Sequence, residues 1–398
     1  MTSGTRGKQR ILKKYEDNEI WKKILIATYD TRITYNVSSP SSLEFNESPI
    51  EDDFFESLKK LSTREVSGKA AKELAFEMSE KYGEIFRLVL NRSIKAGISS
   101  TTINKVYSGL ITVFKSMKGQ DVPIEEFPVK SSIKFDGVKV FAFVRPEGIT
   151  LTSSSGAEFI LSSLIDEMSE ATYGVYEGEL TSKEGKQVNR TSISGQLNSL
   201  LAGTKTDLEE YKYNIYDYIP LDEWDAKVGV STFLERQQML AESFNFGIQD
   251  SLHVKQVDHE VHVSIEDVEQ YFDKLISNGY EGSIHRYDDD VYEWKRVPRL
   301  IKKKTIKECV LNCTSVIPHS NPVKGNVGSL CCSGTIHDKD VGDVFIEVHV
   351  GSGLSKFDIQ RSEEYFIGEK IEVLYNTVIE SNGKYSLFLP RFKRVASC

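Results

Sequence analysis

The chain has 398 residues, 39% of them hydrophobic, and a formal charge of −9 from 59 acidic and 50 basic side chains. That length exceeds what one core organises well and predicts two or three domains. The negative balance excludes a nucleic-acid grip by the whole surface but leaves a local one open. Apolar runs such as Ile24-Leu25-Ile26-Ala27 fall far short of the roughly 20 residues that span a bilayer, so no membrane partner is expected.

The basic start Met1-Thr2-Ser3-Gly4-Thr5-Arg6-Gly7-Lys8 is followed by no hydrophobic region and no small-residue cleavage site. Secretion is not expected, and the cytoplasm is the predicted compartment. Residues 8 to about 120 read as helical: Ile11, Leu12, Tyr15, Ile20, Trp21, Ile24 and Leu25 recur at helical spacing, as do Phe86, Leu88, Val89, Leu90 and Ile94. Ser38-Ser39-Pro40-Ser41-Ser42 interrupts them as a loop. From Pro128 short β-rich runs follow, at Lys139–Arg145, Tyr173–Leu180, Tyr211–Ile219, Ile284–Tyr287 and Val291–Lys295, with helical segments Ile160–Met168 and Ile265–Ser277 between them. This alternation predicts an α+β region. Beyond about Lys304 come β-type runs at Glu308–Val316, Val344–Val350, Lys370–Tyr375 and Tyr385–Leu389, separated by Gly and Asn, which fit a small closed barrel.

Five cysteines, Cys309, Cys313, Cys331, Cys332 and Cys398, form no disulfide framework. A zinc site would need the adjacent Cys331 and Cys332 to point one way, whereas strand neighbours point to opposite faces, so reduced, partly buried thiols are expected. Ser67-Gly68-Lys69-Ala70 lacks the upstream glycine and following hydroxyl of a phosphate-binding loop. In His259-Glu260-Val261-His262 the histidines are three apart, not four, and the surrounding valines suggest a strand, so both motifs read as structural.

The informative stretch is Ile133-Lys134-Phe135-Asp136-Gly137-Val138-Lys139. A lysine attacks phosphorus only as the neutral amine, and Asp136-Gly137 supplies a turn that leaves Lys134 at a strand end. An ordered series follows: Tyr176-Glu177-Gly178-Glu179-Leu180, Tyr213-Asn214-Ile215-Tyr216-Asp217, Tyr280-Glu281-Gly282-Ser283-Ile284 and Tyr292-Glu293-Trp294-Lys295. Two carboxylates for a divalent cation on phosphates, an aromatic face for a base and lysines for developing charge make a coherent nucleotide site. Between Lys295 and Lys307 lie Lys295, Arg296, Arg299, Lys302, Lys303, Lys304 and Lys307 with no acid among them, a concentration that suits an anionic backbone.

These segments resemble motifs I, III, IIIa, IV and V of the covalent nucleotidyltransferases, the superfamily of ATP-dependent ligases and capping enzymes. Other segments resemble the DNA ligases of T-even-type phages still more closely: Ala96-Gly97-Ile98-Ser99, Asn104 to Ile111, Arg190-Thr191-Ser192-Ile193-Ser194-Gly195, Tyr216 to Leu221, Val350 to Leu354 and Leu387 to Pro390. The resemblance spans nearly the whole chain. It implies a multi-domain α+β protein with a helical DNA-binding domain at 1–125, a nucleotidyltransferase (ATP-grasp-like ligase) domain at 126–300 and an OB-fold β-barrel at 301–398. Lys134 would form a lysyl-AMP, Glu179 and Glu281 would hold Mg2+ and the ribose, Tyr216 would stack on adenine, and Lys295 would contact the phosphates of ATP. Ser132, Ile133 and Lys139 would complete the nucleotide site. Nicked duplex DNA would meet Lys95, Lys105, Arg190, Ser192, Ser194, Arg299, Lys302, Lys303, Lys304, Ser352 and Gly353, with the protein acting as a monomer.

The chain departs from the pattern at several places. Lys139 stands for the usual arginine and loses its bidentate fork. Ser154 replaces the arginine of motif Ia, Ser132 a glutamine or glutamate at the adenine edge, Arg286 a motif IV lysine, and Glu293 the first lysine of motif V. Motif VI is not recognisable, which leaves Arg391, Lys393 and Arg394 as substitutes. The activity implied is sealing of 3′-hydroxyl/5′-phosphate nicks, as used in DNA replication, repair and recombination. The rival readings are an RNA ligase or RNA-end-repair nucleotidyltransferase using the same lysine, and a degenerate nick-binding protein.

Overall fold

The computed structural model describes residues 4–35, 37–40, 48–182, 190–201, 204–248, 251–319, 325–338, 341–381 and 383–396, apart from the side chains of 190–192, 194 and 381. Two compact units result, Met1–Lys303 and Lys304–Cys398.

The first unit begins with helices Thr5–Lys14, Glu19–Tyr29, Asp52–Ser62, Gly68–Tyr82, Glu84–Leu90 and Ser100–Asn104. Amphipathic spacing drives their packing: Asp52–Ser62 buries Phe54, Ser57, Leu58 and Leu61 on one side. The Phe54 ring meets Tyr82 and Phe86 edge-on at 5.1 Å. Gly83, at φ 68°, breaks the apolar run into two helices there. The helical reading fails beyond Leu90. Arg92 and Lys95 adopt left-handed φ of 56° and 52°, and Arg92 is held so by donating to the carbonyls of Asp30, at 2.5 Å, and Ile33. Only the five-residue helix Ser100–Asn104 follows before the first strand, Lys118–Gln120.

Two sheets make up the rest of this unit. The six-stranded sheet runs Glu158–Phe159, Gly148–Ser153, Val138–Arg145, Gly174–Thr181, Lys212–Ile219, Val254–Gln256; the five-stranded sheet runs Lys118–Gln120, Arg296–Lys304, Gly282–Arg286, Val129–Lys134, Glu260–His262. One face of the six-stranded sheet buries Tyr176, Leu180, Tyr213, Ile215 and Tyr218 in the largest core. Its other face contributes Phe141, Val175 and Ile219 to a second core, with Trp224, Tyr292 and, from the five-stranded sheet, Val297 and Leu300. Each such buried side chain contributes roughly 1.5–3 kcal/mol, so this core joins the sheets and leaves a cleft beside it.

The strands and helices expected after Lys134 are present within a few residues of their predicted ends, and Ile265–Ser277 coincides. Val291–Lys295 is the exception. It forms only a bridge between Thr232 and Val291, because Tyr292 and Trp294 turn their rings onto Trp224 at 6.0 and 5.8 Å. The strand is the following basic segment, Arg296–Lys304.

The second unit is a seven-stranded sheet in which Lys307–Pro318 pairs antiparallel with both Val327–Asp338 and Lys370–Tyr375. Gly342–Val350 lies beyond Val327–Asp338, and Arg391–Val395 beyond Lys370–Tyr375. A bridge between Ser352 and Arg391 joins these two ends and closes a ring of strands. Ser352 donates its hydroxyl to the Pro390 carbonyl at 2.7 Å and accepts the Phe392 amide at 2.8 Å. At Gly353, φ 88°, a Cβ would stand 2.3 Å from the Phe392 oxygen, so the seam requires glycine. Cys313 and Cys332 face each other across the ladder, buried, with Cys309 and Cys331 half-buried and all four free. Burial pushes the Cys309 and Cys332 thiols up to about 12, which keeps them protonated and poor metal ligands. Cys398 lies outside the described residues. No helix among the described residues is long and apolar enough to cross a membrane.

Candidate active site

The two sheets enclose a cavity of about 220 Å³ lined by Ser132, Ile133 and Lys134 from one strand, Lys139, Glu179 and Tyr216 from the facing sheet, and Ile284, Arg286, Leu300 and Lys302 from neighbours of the first. Register explains the convergence. Lys134 pairs with Gly282 and Ser132 with Ile284, so alternation turns Lys134, Ser132, Ile284 and Arg286 to one face. Across the cleft Lys139 pairs with Glu179 and Phe141 with Glu177, again on one face. A β-bulge beside Gly178 leaves Tyr216 unpaired between Ile215 and Asp217. The extra residue sends both Tyr216 and Asp217 to the cleft side and returns Tyr218 to the core. Gly178 is required there, since a Cβ would come within 2.6 Å of the Tyr213 ring.

At the strand end Lys134 Nζ donates to Glu281 Oε2, with 19% and 11% of the two side chains exposed. Gly137 allows the turn that follows, because a Cβ would meet the Leu180 carbonyl at 2.3 Å. Glu177, 1% exposed, accepts from Lys139 Nζ, from the Tyr292 hydroxyl at 2.5 Å and from the Tyr216 hydroxyl at 3.4 Å. A carboxylate so deeply buried is tolerated because three donors satisfy it. Burial, then the Glu177 charge, pushes the Tyr216 phenol well above its ordinary range, so the ring is neutral. Behind it, burial would raise Asp217, but Arg236 and Arg286 outweigh it and hold the carboxyl at about 2. Arg236 reaches Asp217 at 2.8 and 3.2 Å, and Arg286 donates to its other side.

Lys302 projects into the cavity, and burial, reinforced by Lys139 and Lys134, pushes its amine down to about 8. The basic segment is therefore placed differently from the expectation. Lys295, assigned to the ATP phosphates, is 67% exposed, pairs with Glu293 at 2.5 Å and does not line the cavity. Lys302, assigned to DNA, occupies the place expected of Lys295. Arg299 is engaged by Asp290, Glu126 and Asp289 at 2.5, 2.9 and 2.5 Å and stacks on Tyr287, and Lys303 binds Glu269 above the Phe272 ring. Strand alternation sorts Leu300 and Lys302 to the cleft, and Ile301 and Lys303 to the helix Ile265–Ser277.

Other expected DNA contacts are surface groups. Lys105 is exposed, and exposed Lys95 stands 3.9 Å from Glu84. Arg190, Ser192 and Ser194 fall in the helix Arg190–Leu201, with side chains outside the described residues. Ser352 and Gly353 form the ring seam, where the Ser352 hydroxyl is held by Pro390. Ser154 is exposed in a turn, and Lys393 and Arg394 are paired with Glu308 and Glu372. Cavity residues given no part in the expected site are Met117, whose carbonyl accepts from Lys139 at 3.3 Å, Phe135, Ile284, Leu300 and His259, the last read as structural. The odd His259-Glu260-Val261-His262 stretch was the available signal for the last. No group of three or more His, Cys, Asp or Glu arranged for a metal occurs among the described residues. Glu179 and Glu281 therefore suit a cation only if a ligand's oxygens complete its shell, as is usual for Mg2+ on phosphates.

No protein-family model matches the chain. It is 26% identical to the DNA ligase of Enterobacteria phage T4 over 460 aligned residues, which cover 97% of this chain and 91% of the phage protein. The DNA ligase of Enterobacteria phage T6 is similar at the same identity and coverage. Among solved structures, one named Pmar-Lig_PreS3 covers 99% of this chain and 96% of its own, with a TM-score of 0.75 and 22% identity, and so shares the fold.

Proposed function

We propose that this chain, similar over almost its full length to the T-even-type phage DNA ligases, is an ATP-dependent DNA ligase that seals nicks through a covalent AMP on Lys134. The observation that carries the reading is a half-buried strand-end lysine, joined to one glutamate and facing a second, in a cavity walled by an aromatic ring and further lysines.

Lys134 Nζ forms a bond to the α-phosphorus of ATP as the bond from that phosphorus to the bridging oxygen breaks and pyrophosphate leaves. Glu281, hydrogen-bonded to the ammonium, is the group placed to take the proton that must depart first. Tyr216 offers a neutral face for the base, held by Glu177, while Lys139 and Lys302 offset charge on the phosphates. Mg2+, held by Glu179, Glu281 and phosphate oxygens, would supply a template and a charge sink. The 5′-phosphate of a nick then takes the AMP, and the 3′-hydroxyl displaces it to form the phosphodiester. Residues 1–125 would serve as the helical DNA-binding domain, 126–300 as the nucleotidyltransferase domain and 301–398 as an OB-fold. The six N-terminal helices and the closed ring of strands support that division.

Lys134→Ala is expected to abolish acid-labile labelling by α-labelled ATP and Mg2+, and a chase of the labelled protein with nicked duplex DNA should release AMP as the strand is joined. Labelling that persists in the variant would remove Lys134 from this role.

A further inference from the structure

Between Val257 and His259 the chain crosses from one sheet to the other. Val254–Gln256 pairs with Lys212–Ile219 in the six-stranded sheet, and Glu260–His262 pairs with Val129–Lys134 in the five-stranded one. His259 sits at that crossing, lines the cavity and is braced edge-on by Phe233 at 5.2 Å. The antiparallel pairing of Ser131 with Glu260 brings it beside Ser132. Along Val129–Lys134 the cleft-facing positions recede from Lys134 to Ser132 to Lys130, opposite Gly282, Ile284 and Arg286. Arg286 lines the same cavity, and the charges of Arg286, Asp217 and Lys130 act on the imidazole. At about 3.3 Å per residue those four steps span about 13 Å, room for a nucleoside 5′-phosphate lying lengthwise.

With the α-phosphorus at Lys134 and the base on Tyr216, the far edge of a purine points at Ser132, Arg286 and His259. Arg286 is engaged by Asp217 and stacked over Phe233 at 4.9 Å, and Ser132 is short. Burial, then Arg286, pushes the His259 imidazole down to about 4, so it is neutral, and the Val257 backbone engages one ring nitrogen. The other offers a lone pair. Adenine presents a 6-amino donor to such an acceptor, whereas guanine and hypoxanthine present a 6-oxo acceptor that repels it.

We propose that His259 accepts a hydrogen bond from the 6-amino group of ATP and, beside the short Ser132, makes this site choose adenine over 6-oxopurines. The inference rests on the ligase reading above. The test uses the full chain with Mg2+ and compares rates of Lys134 labelling by α-labelled ATP, by purine riboside triphosphate, which lacks only the 6-amino group, and by GTP. The wild type should prefer ATP over the deaminated analogue about tenfold. His259→Leu should bring that ratio close to one, and His259→Asn, whose amide oxygen still accepts, should retain part of it. An unchanged ratio in His259→Leu overturns the inference, as does wild-type protein that labels equally with ATP and the analogue, a result independent of whether either variant folds. Wild-type protein that takes no label from any of the three would sink the ligase reading itself, whereas labelling without a His259-dependent ratio sinks only this inference.

Discussion

The two ends of the cleft are built on opposite principles. At the Lys134 end, Lys134 and Glu281 form one ion pair, partly open to solvent, at the tip of a strand. At the deep end Asp217 and Arg236 are fully buried, Arg286 is 4% exposed, and every carboxylate oxygen of Asp217 meets a guanidinium. A pair that solvent still reaches is cheaper to rearrange than a fully buried one, which suits the proposed loss of a proton and bond formation at Lys134. A buried, saturated cluster is costly to disturb and fixes the bulged strand that presents Tyr216.

That contrast can be broken at the deep end. Asp217→Ala strands two guanidiniums without a counter-charge and should destabilise the fold by about 3–5 kcal/mol, measured by chemical denaturation. A loss below about 1 kcal/mol would show the cluster to be dispensable. A second test uses pH. His285 is buried between the hydroxyls of Ser131 and Ser283, both ring nitrogens bonded at 2.7 and 2.8 Å, and burial, with His262 and Lys303, pushes it down to about 4. Between that value and the ordinary histidine value of about 6.5 the unfolded chain holds more protons than the folded one, so its contribution is complete above about 6.5 and is lost as pH falls toward 4. The expected loss between pH 7.5 and 5 is about 2 kcal/mol. Denaturant midpoints at pH 7.5 and 5 check it, and a His285→Asn variant that falls as steeply as wild type would acquit this residue.

Within the cleft, Lys302→Ala should slow labelling of Lys134 by about a hundredfold, while Lys295→Ala should change it by less than about twofold. The reverse order would restore Lys295 to the nucleotide site. The smallest expected effect lies in the other unit, where Ser352→Ala removes the bond to Pro390 and should cost about 1 kcal/mol without altering Lys134 labelling. A selective loss of nick sealing would instead give Ser352 a part in DNA contact.

Much of the site was legible beforehand because its parts are local. Lys134 with its turn, Glu179, Tyr216 and Glu281 each sit in a short strand segment whose alternation shows in the residues, and the sheet then brings these segments together. The partners of Arg299 were not legible for the converse reason. Nothing near it in the chain reveals that Asp289, Asp290 and Glu126 enclose it, since Glu126 comes from a segment 173 residues away.

The amino-acid sequence alone singled out Lys134, the order of the motifs, the α+β character and the resemblance to phage DNA ligases, because side-chain chemistry and short-range periodicity are properties of adjacent residues. Tertiary structure decided which lysine of a basic run enters the cleft, that Glu177 anchors Lys139 and Tyr216, and that His259 lines the cavity beside Ser132. Those outcomes depend on strand register, a single bulge and a crossing between sheets, and each arises only when distant segments pair.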